Sequence, residues 1–448
     1  MRRASLIGCV ASLVCSCSFI DDYGKFTVAD GAAVDAGLSV PRDAGPATDG
    51  GSSPECTPAC ALDQRCTAGA CEADPILHLR AGGGQNCVVT ASGRARCWGS
   101  NFDGYLGRPI DAAHSSVGVP PGDMDLTDIA DVTMASSHTC ALTHPGELYC
   151  MGNNIAALGI GRGAATEVAT PTRVSFGSGT AGPVTLVNAG DYSTCAIVGD
   201  ADLWCWGASN TGLIAPPGGS ALDRPAQMVA QPTLGTVASI AVGYDSACIR
   251  AGATNAMACW GSNTSLQLGV GSSPVETHVP QQVDGTFLQV DVGNAFACAI
   301  TADTPATLRC WGANNWGQLG IGMETSDPQP ATPVLFDTMT PVMVATGDEF
   351  ACAIGRVASG TGTSVYCWGH NTAGECGQET SVVWVSAPTR VLGADNARAI
   401  AVGEAHACAL FDEASGRQTV KCWGSNGYAQ LGVPYETIDH SVTPVTVP

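Results

Sequence analysis

Positive charge is the scarcest feature of this sequence. Only 13% of the 448 residues are charged, and 19 Lys and Arg stand against 40 Asp and Glu, which gives a formal net charge of −21. An acidic surface repels the phosphate backbone of nucleic acids and the anionic headgroups of lipids. We therefore expect no nucleic-acid partner and no direct adhesion to a membrane surface.

The sequence also lacks the local motifs of common catalytic centres. It contains neither a Gly-x-Ser-x-Gly nucleophile elbow nor a His-Glu-x-x-His zinc motif, and its eight His are scattered. His138 and His406 share one repeat position, but Gln, Ser or Phe fills that position elsewhere, so the position is not a preserved ligand set. We expect a non-catalytic protein without metal or cofactor, and the alternative is a polysaccharide-acting enzyme.

Long apolar runs are missing as well, and the only short one lies at the N-terminus. Arg2 and Arg3 precede the apolar stretch from Leu6 to Val14, which is too short to span a bilayer as a helix. This order is typical of an export signal, which we place at residues 1–16.

Cys17 stands where a bacterial lipobox places the cysteine that becomes lipidated, and a plain secretory cleavage nearby is the alternative. Residues 17–54 are rich in Asp, Gly, Ala, Pro and Ser, so we expect a disordered tether. On this interpretation the protein is exported as an outer-membrane or cell-surface lipoprotein. Its only contact with the membrane is then the N-terminal lipid.

Cysteine is abundant, with 22 copies, and in an exported chain this indicates disulfides. Four of them lie within residues 55–73, a segment too small to build a core without cross-links: Cys56, Cys60, Cys66 and Cys71. We expect two disulfides in this module, with all three connectivities open. A four-cysteine zinc site is the alternative, although zinc knuckles usually have closer cysteine spacing.

Residues 75–448 repeat themselves seven times. A Cys-Trp-Gly tripeptide, once Cys-Met-Gly, recurs with its first residue at Cys97, Cys150, Cys205, Cys259, Cys310, Cys367 and Cys422. A second cysteine precedes each copy, at Cys87, Cys140, Cys195, Cys248, Cys298, Cys352 and Cys408. Short apolar stretches separated by Gly, Asn and Asp give four predicted strands per unit. Four strands in each of seven units is the pattern of a β-propeller.

The order Gly-x-x-His-x-Cys-Ala-Leu, Cys-Trp-Gly-x-Asn, Gly-Gln-Leu-Gly and Pro-x-x-Val resembles the regulator of chromosome condensation repeat. The resemblance covers the repeat region and implies an all-β, seven-bladed β-propeller. The chain enters the repeats at the second strand type of a unit and leaves them at the first. We therefore expect strands from the two chain ends to complete one shared blade and so close the ring.

Each cysteine pair lies on two consecutive predicted strands joined by a short loop. Directly opposed residues of an antiparallel pair are close enough to cross-link. We therefore expect one disulfide inside each blade: Cys87–Cys97, Cys140–Cys150, Cys195–Cys205, Cys248–Cys259, Cys298–Cys310, Cys352–Cys367 and Cys408–Cys422. The Trp after the second cysteine is expected to pack between neighbouring blades.

The loop before the first cysteine of each unit is the candidate binding face. It has equal length in all units but varied content, and it combines aromatic groups with carboxylates. The candidate residues are His138, Asp191, Tyr192, Tyr244, Asp245, Phe296, Asp348, Phe350, Glu404 and His406. Because these loops are equivalent in the repeat, we expect them to emerge on one face of the ring.

The function that fits these features is a cell-envelope binding or scaffold module. We expect a monomer that presents propeller loops to a protein or glycan partner at the cell surface. Inhibition of an extracellular enzyme is a specific version of this. Guanine nucleotide exchange is the founding activity of the repeat family, but it needs a cytosolic or nuclear partner. Export, disulfides, acidity and the lack of a long insertion in any unit argue against it.

Lipidation at Cys17 gives the first testable prediction. The wild-type protein should partition into the detergent phase, and Cys17→Ala should move it to the aqueous phase because the acyl chains that hold it in the detergent are lost. Cys9→Ala, which alters the other cysteine that fits lipobox letters, is the matched control and should behave as wild type. Equal aqueous partitioning of the wild type and Cys17→Ala would refute lipidation.

Overall fold

A computed structural model describes most of the repeat region and a few short stretches before it. The described residues are 19–21, 25–27, 56, 59–108, 118–154, 158–160, 167–176, 182–199, 202–207, 212–214, 222–227, 234–336, 339–357 and 362–448. The expected signal segment and Cys17 lie outside these residues. Within the expected tether, Phe19–Asp21 pairs with Lys25–Thr27 as two antiparallel strands. No helix among the described residues has the length and hydropathy needed to cross a bilayer.

The repeats fold into seven four-stranded antiparallel sheets, each built from four consecutive strands. This confirms the seven-bladed β-propeller. The blades are numbered in chain order, and the strands of each are given from the inner to the outer strand. Blade one is Ile76–Ala81, Gln85–Thr90, Ala95–Gly99 and Val119–Asp123; blade two is Ile129–Met134, His138–Thr143, Leu148–Asn153 and Glu167–Arg173; blade three is Val184–Gly190, Ser193–Val198, Asp202–Gly207 and Leu222–Gln227; blade four is Val237–Val242, Ser246–Ala251, Met257–Ser262 and Glu276–Val283. Blade five is Phe287–Val292, Phe296–Thr301, Leu308–Asn314 and Thr325–Pro333; blade six is Met339–Thr346, Phe350–Val357, Thr363–His370 and Trp384–Asp395; blade seven is Ala397–Val402, His406–Asp412, Gln418–Ser425 and His440–Thr446.

The expected sharing of one blade between the two chain ends is wrong. Ile76–Ala81 is the inner strand of a complete first blade, and His440–Thr446 is the outer strand of a complete seventh blade. The last strand pairs with the third strand of its own unit, with Cys422 opposite Val445. Pairing with the sequence neighbour costs less loop-closure entropy than pairing across the whole chain. The ring must therefore close by contacts between side chains and loops.

The disulfides lie inside the blades and cross-link the second strand to the third. In every blade the two cysteines are directly opposed in the strand register, so each bridge stays within one blade. The structure joins all seven pairs that the sequence predicted. Cys376 is the one free cysteine among the described residues; it is buried and occupies the Leu position of its repeat.

The Trp side chains that recur in the units join neighbouring blades. The indole Nε1 of a blade donates a hydrogen bond to a backbone carbonyl in the turn of the preceding blade, as expected for a residue packed between blades. The pairs are Trp98 with Gln430, Trp260 with Leu213, Trp311 with Gln267, Trp368 with Gln318, and Trp423 with Glu375. The Trp98–Gln430 bond, at 3.0 Å, spans the seam between blades one and seven, so the same contact that joins successive blades also closes the ring.

The inner strands are sheet edges. Side chains of the preceding blade accept hydrogen bonds from some of the backbone N–H groups at these edges. Thr133 Oγ1 accepts from Ala189 N at 2.9 Å, and Asn188 Oδ1 accepts from Val242 N at 2.7 Å. Asp291 Oδ2 accepts from Thr346 N at 2.7 Å. These three acceptors occupy the same position in their units. Because an edge N–H without a partner is costly, this position fixes the inner strand of the next blade in the three units that carry an acceptor there, whereas Arg or Ala fills it in the other four.

A glycine ring narrows the end of the propeller at which the inner strands stop. It consists of Gly82, Ala135, Gly190, Gly243, Gly293, Gly347 and Gly403, one residue from each blade. From Gly190 through Gly403, a Cβ on each glycine would lie closer than 3.0 Å to the carbonyl oxygen of the next glycine in the ring. The blades therefore approach each other backbone to backbone, which only glycine permits.

The small cysteine module acts as a clasp across the seam between blades one and seven. It contains the disulfides Cys56–Cys66 and Cys60–Cys71 and the strand pair Gln64–Thr67 with Ala70–Ala73. Asp63 of the module is buried and accepts two hydrogen bonds from the Arg417 guanidinium of blade seven, at 2.6 and 2.8 Å.

The module also contacts blade one. The guanidinium of Arg96 donates to the carbonyls of Cys60 and Ala61. Burial opposes the charge of Asp63, but the bonds from Arg417 and the backbone N–H of Gln418 outweigh it, so the pKa of Asp63 lies below its ordinary value. The charged form of Asp63 therefore stabilises the closed ring above the ordinary pKa of a carboxyl group, and this contribution is lost as the pH falls.

Removing the guanidinium should weaken the clasp. Arg417→Gln is expected to lower the free energy of unfolding by about 2 kcal/mol at neutral pH, since the buried carboxylate loses its charged partner. Chemical denaturation of the folded protein measures this. Arg65→Gln, which breaks the exposed Arg65–Glu72 pair of the same module, is the matched control and should change stability by less than about 0.5 kcal/mol. Equal effects of the two variants would show that the module does not clasp the ring.

Candidate functional site

The inner strands enclose a central channel that opens at the loop face, the end at which the first strand of each blade turns into the second. The channel holds a cavity of about 180 Å³ lined by residues from all seven inner strands. The loops from third to fourth strands emerge on the same face, because alternate strands run in opposite directions. The cysteine module contacts Arg417 in a loop at the opposite end. The loop face is therefore free of the module.

Two rings of loop residues surround the opening just outside the glycine ring. The mouth ring follows each ring glycine or alanine directly: Gly83, Ser136, Asp191, Tyr244, Asn294, Asp348 and Glu404. The outer ring comes one residue later: Gly84, Ser137, Tyr192, Asp245, Ala295, Glu349 and Ala405. The two rings together contain five carboxylates and no Lys or Arg. Six of the ten candidate residues lie in these rings, on one face as expected.

Below the glycine ring, the channel wall becomes largely apolar. The last residue of each inner strand, or the one next to it, lines the cavity here: Ala81, Met134, Ala189, Val242, Val292, Thr346 and Val402. Thr346 is the one polar member of this collar. Its side chain is nine-tenths buried and hydrogen-bonds the carboxylate of Asp291 in the preceding blade, which also accepts from the backbone N–H of Thr346.

Tyr192 and Tyr244 form an exposed aromatic pair on the rim. Their rings are 5.4 Å apart between centroids and meet edge to face at 82°. The side chains are 51% and 39% exposed, so both aromatic rings keep surface that a partner could cover. An aromatic surface already ordered by its neighbour is a favourable contact site, because little side-chain entropy remains to be lost on binding.

The mouth carboxylates lie close enough to disfavour each other's charge. Partial burial, followed by the charges of Asp191 and Asp348, raises the pKa of Glu404 to about 7. Burial also raises the pKa of Asp191, against the hydrogen bond that Ser136 Oγ donates to its Oδ1 at 2.6 Å. Burial likewise raises the pKa of Asp348, and Glu349 adds to this. The mouth therefore gathers carboxylates that disfavour one another's charge, and the charge of His370 in the same blade favours the ionised form of Asp348.

Four of the ten candidates are wrong as contact residues. His138, Phe296, Phe350 and His406 begin the second strand of their blades, and each is at most 1% exposed. Their side chains pack beneath the glycine ring or against the next blade. Burial lowers the pKa of His138 to about 4 and that of His406 to about 3, so both are neutral. These residues come one position after the outer ring. The sequence pattern alone does not distinguish this buried position from the mouth-ring and outer-ring positions before it.

The two histidines join adjacent blades. His138 Nε2 lies 2.7 Å from Thr194 Oγ1 of the next blade, and His406 Nε2 lies 2.8 Å from Asn86 Oδ1 across the closing seam. Ser136 belongs to the mouth but was missing from the candidates. The sequence does contain a signal for it. Ser136 directly follows the small residue Ala135, just as the candidate Asp191 directly follows Gly190.

The described residues bring one group of possible metal ligands together, outside the loop face. It consists of Cys56, Cys60 and Cys71 of the module. All three sulfurs are in disulfides, so they offer no thiolate to a metal. This agrees with two disulfides and not with the alternative of a zinc site.

Comparison with known proteins points to one family of repeats. The model of the regulator of chromosome condensation (RCC1) repeat matches residues 259–300, 310–354 and 364–410. The E3 ubiquitin-protein ligase HERC2 of mouse and that of human are each 26% identical over 350 residues, which is 76% of this chain. The chain spans only 7% of the length of these relatives.

Solved structures show the same fold. Yeast RCC1 (Prp20) superimposes with a TM-score of 0.64 at 20% identity, covering 79% of this chain and 83% of that one. Human WBSCR16 gives a TM-score of 0.65 at 18% identity, covering 80% of this chain and 94% of that one. At this level of identity the likeness concerns the fold alone.

The raised pKa of Glu404 gives a prediction about stability. Glu404→Gln should raise the melting temperature at about pH 8 and leave it nearly unchanged at about pH 4. The folded-state pKa of about 7 exceeds the ordinary 4.5, so the protonated carboxyl stabilises the fold at low pH. That contribution is lost as the pH rises through 7. Asp191, Asp348 and Tyr105 are the titratable groups that act on Glu404.

Differential scanning calorimetry at the two pH values tests this. Asp303→Asn removes an exposed carboxylate at the opposite end of the propeller and is the matched control. It should produce no comparable difference between the two pH values. An equal gain for Glu404→Gln at both pH values would contradict the assigned charge repulsion at the mouth.

Proposed function

Because this chain carries repeats of the regulator of chromosome condensation family, folded as a seven-bladed propeller, we propose that it is a non-catalytic scaffold that presents its loop face to a partner protein. The observation that carries this proposal is the exposed Tyr192–Tyr244 pair beside the carboxylates of the mouth. Aromatic anchors surrounded by polar groups are typical of protein-binding surfaces. A glycan with exposed sugar faces is the second class of partner that such a surface fits.

The chemistry of the mouth supports binding more than catalysis. Ser136 is the one hydroxyl of the mouth ring that pairs with a carboxylate, and it donates to Asp191 with no imidazole between them. The imidazoles of His138 and His406 are buried beyond the glycine ring and bonded to neighbouring blades. Ser137 Oγ lies 3.3 Å from His138 Nδ1, but it donates to the backbone carbonyl of Asp191 at 2.7 Å, and a histidine whose pKa burial lowers to about 4 is a weak base for activating a hydroxyl. The arrangement therefore favours a contact surface.

We also propose that the protein works outside the cytosol, anchored through Cys17 to the outer membrane or cell surface. The nine disulfides of the described residues support this, because such bridges persist where thiols are kept oxidised. Guanine nucleotide exchange would require a GTPase in the cytosol or nucleus. The disulfides favour the exported binding module over that activity.

Loss of the two rim tyrosines tests the binding face. The double variant Tyr192→Ala with Tyr244→Ala should weaken binding of a partner captured from the outer surface of native cells by about 2 kcal/mol, roughly thirtyfold, because it removes the largest exposed contact area of the mouth. The affinity of the purified partner for immobilised wild type and variant is the measurement.

Leu392→Ala is the control, since Leu392 is 69% exposed near the end of the outermost strand of blade six that lies opposite the loop face. It should bind as wild type. Unchanged melting temperatures of both variants would exclude unfolding as the cause of any loss. If the tyrosine variant binds as tightly as wild type, the partner does not contact the loop face.

A further inference from the structure

Glu375 carries a charge where three other blades carry a neutral glutamine. The position lies in the turn between the third and fourth strands, and Gln267, Gln318 and Gln430 occupy it in blades four, five and seven. In each of these turns the side-chain oxygen accepts a hydrogen bond from the backbone N–H two residues earlier. Glu375 Oε2 accepts from Ala373 N in the same way, at 2.8 Å. The turn therefore forms with either an amide or a carboxylate at this position.

The glutamine of blade four shows what the neutral residue does there. Nε2 of Gln267 lies 3.2 Å from both carboxylate oxygens of Asp245 and 3.2 Å from the hydroxyl of Ser262. Asp245 lies in the loop between the first and second strands, and Ser262 ends the third strand. The amide therefore joins two neighbouring segments of one blade without adding a charge.

In blade six, Glu349 and His370 occupy the two equivalent positions. A carboxylate has no N–H to donate, so Glu375 cannot reproduce the bonds of the amide. His370 pairs with it instead, and its Nδ1 lies 3.1 Å from Glu375 Oε1. The Glu375 side chain is 1% exposed, and a carboxylate buried to this extent is costly without a partner. His370 and Glu375 together therefore replace the one neutral amide of blade four.

The charged groups that act on His370 among the described residues are acidic. The hydrogen bond to Glu375 raises the pKa of His370 above its ordinary 6.5, against partial burial. The charges of Glu349 and Asp348, from the loop between the first and second strands, raise this pKa further. The Cys376 thiol next to Glu375 stays neutral, because burial raises its pKa well above the ordinary value. The protonated imidazole is therefore the cation that these three carboxylates share.

The pair lies where blade six meets both of its neighbours. The imidazole of His370 packs edge to face against Trp316 of blade five, with 5.0 Å between the ring centroids. The backbone carbonyl of Glu375 accepts from the indole Nε1 of Trp423 in blade seven at 2.9 Å. A change of charge at this pair therefore acts on a turn that takes part in the packing between blades.

The blade-six loop, residues 371–383, ends in two exposed apolar side chains, Val382 and Val383. Asn371 donates from Nδ2 to the carbonyl of Val382 at 2.7 Å, and its Oδ1 accepts from Cys376 N at 2.9 Å. One side chain thus connects the turn that holds the charged pair to the apolar end of the loop. The blade-six loop emerges on the loop face, as the other loops from third to fourth strands do, so its order affects what that face presents.

We propose that His370 is a pH-sensitive switch that controls the order of the blade-six loop. In its protonated form the imidazole pairs with Glu375 and offsets the charges of Asp348 and Glu349, so the loop stays closed on its blade. In its neutral form the three carboxylates remain without a cation, and the loop opens more often. The inference goes beyond the proposed function, because it concerns the fold of one loop and holds whichever partner binds.

The pH range follows from the direction of the shift. Because folding raises the pKa of His370, its stabilising contribution is fully present below the ordinary 6.5 and is lost as the pH rises through the higher folded value. We therefore expect an ordered loop at mildly acidic pH and a looser loop at alkaline pH. The blade-four loop, residues 263–275, contains Gln267 and no titratable side chain, so it should not respond.

Hydrogen exchange of the full chain, measured by mass spectrometry at about pH 6 and about pH 9, tests the switch. After correction for the intrinsic pH dependence of exchange, protection of the blade-six loop should fall at least about threefold at the higher pH. Protection of the blade-four loop should change by less than about 1.5-fold. The blade-four loop thus serves as the control within the same molecule.

Glu375→Gln restores the glutamine of the equivalent turns and should therefore fold. Its blade-six loop should lose the pH response, and so should the double variant that adds His370→Ser and thereby has the blade-four side chains at both positions. Glu379→Gln removes an exposed carboxylate from the same loop and is the matched control, which should keep the response of the wild type. An NMR titration of isotope-labelled histidine should give His370 a pKa above 6.5 in the wild type and a lower one in Glu375→Gln.

Three results would overturn the switch. An equal response of the two loops in the wild type would show a general loosening at alkaline pH. A response that persists in Glu375→Gln, or a pKa of His370 at or below 6.5 in the wild type, would show that the pair does not control the loop. If the loop responds as expected while the tyrosine double variant keeps its partner, the proposed binding face falls and the switch stands.

Discussion

The close approach of seven inner strands around one axis is the constraint on which the rest of this structure depends. At the loop end the backbones come so near that a Cβ on most ring positions would collide with the next blade, so glycine fills six of the seven positions. At the narrowest level this packing leaves room for no side chain larger than the methyl group of Ala135. The two residues that follow each ring position must therefore emerge at the mouth, while the third turns back under the ring. One steric condition thus decides which loop residues meet solvent.

The blades and the ring are stabilised by different interactions. Within a blade, backbone ladders and one disulfide join neighbouring strands. Between blades, five indole N–H groups, three inner-strand acceptors at one repeat position and the two buried loop histidines bond to the adjacent blade. At the closing seam Trp98, Asn86 and His406 make the equivalent contacts, and the ion pair of Asp63 with Arg417 adds a clasp outside the repeat. Closure therefore relies on repeated side-chain contacts instead of a shared strand.

The mouth combines features that stability alone would not favour. Carboxylates that raise one another's pKa and tyrosines that keep about half of their surface exposed both add free energy to the unbound protein. Such features are retained at functional sites more often than elsewhere. The scaffold supplies this surface from loops held rigidly by the propeller.

The sequence by itself determined the seven units, the four strands in each, the pairing of fourteen cysteines and the common face of the candidate loops. These follow from local periodicity, because strands adjacent in sequence pair with each other at the lowest entropic cost. Only the tertiary structure decided that each blade is complete and that the cysteine module clasps the seam. It also decided which loop residues meet at the mouth, namely Asp191, Asp348 and Glu404, and which are buried, namely His138, Phe296, Phe350 and His406. These features depend on how blades pack around an axis, and the repeat pattern of a single blade carries no information about which neighbouring backbone its loop residues will face.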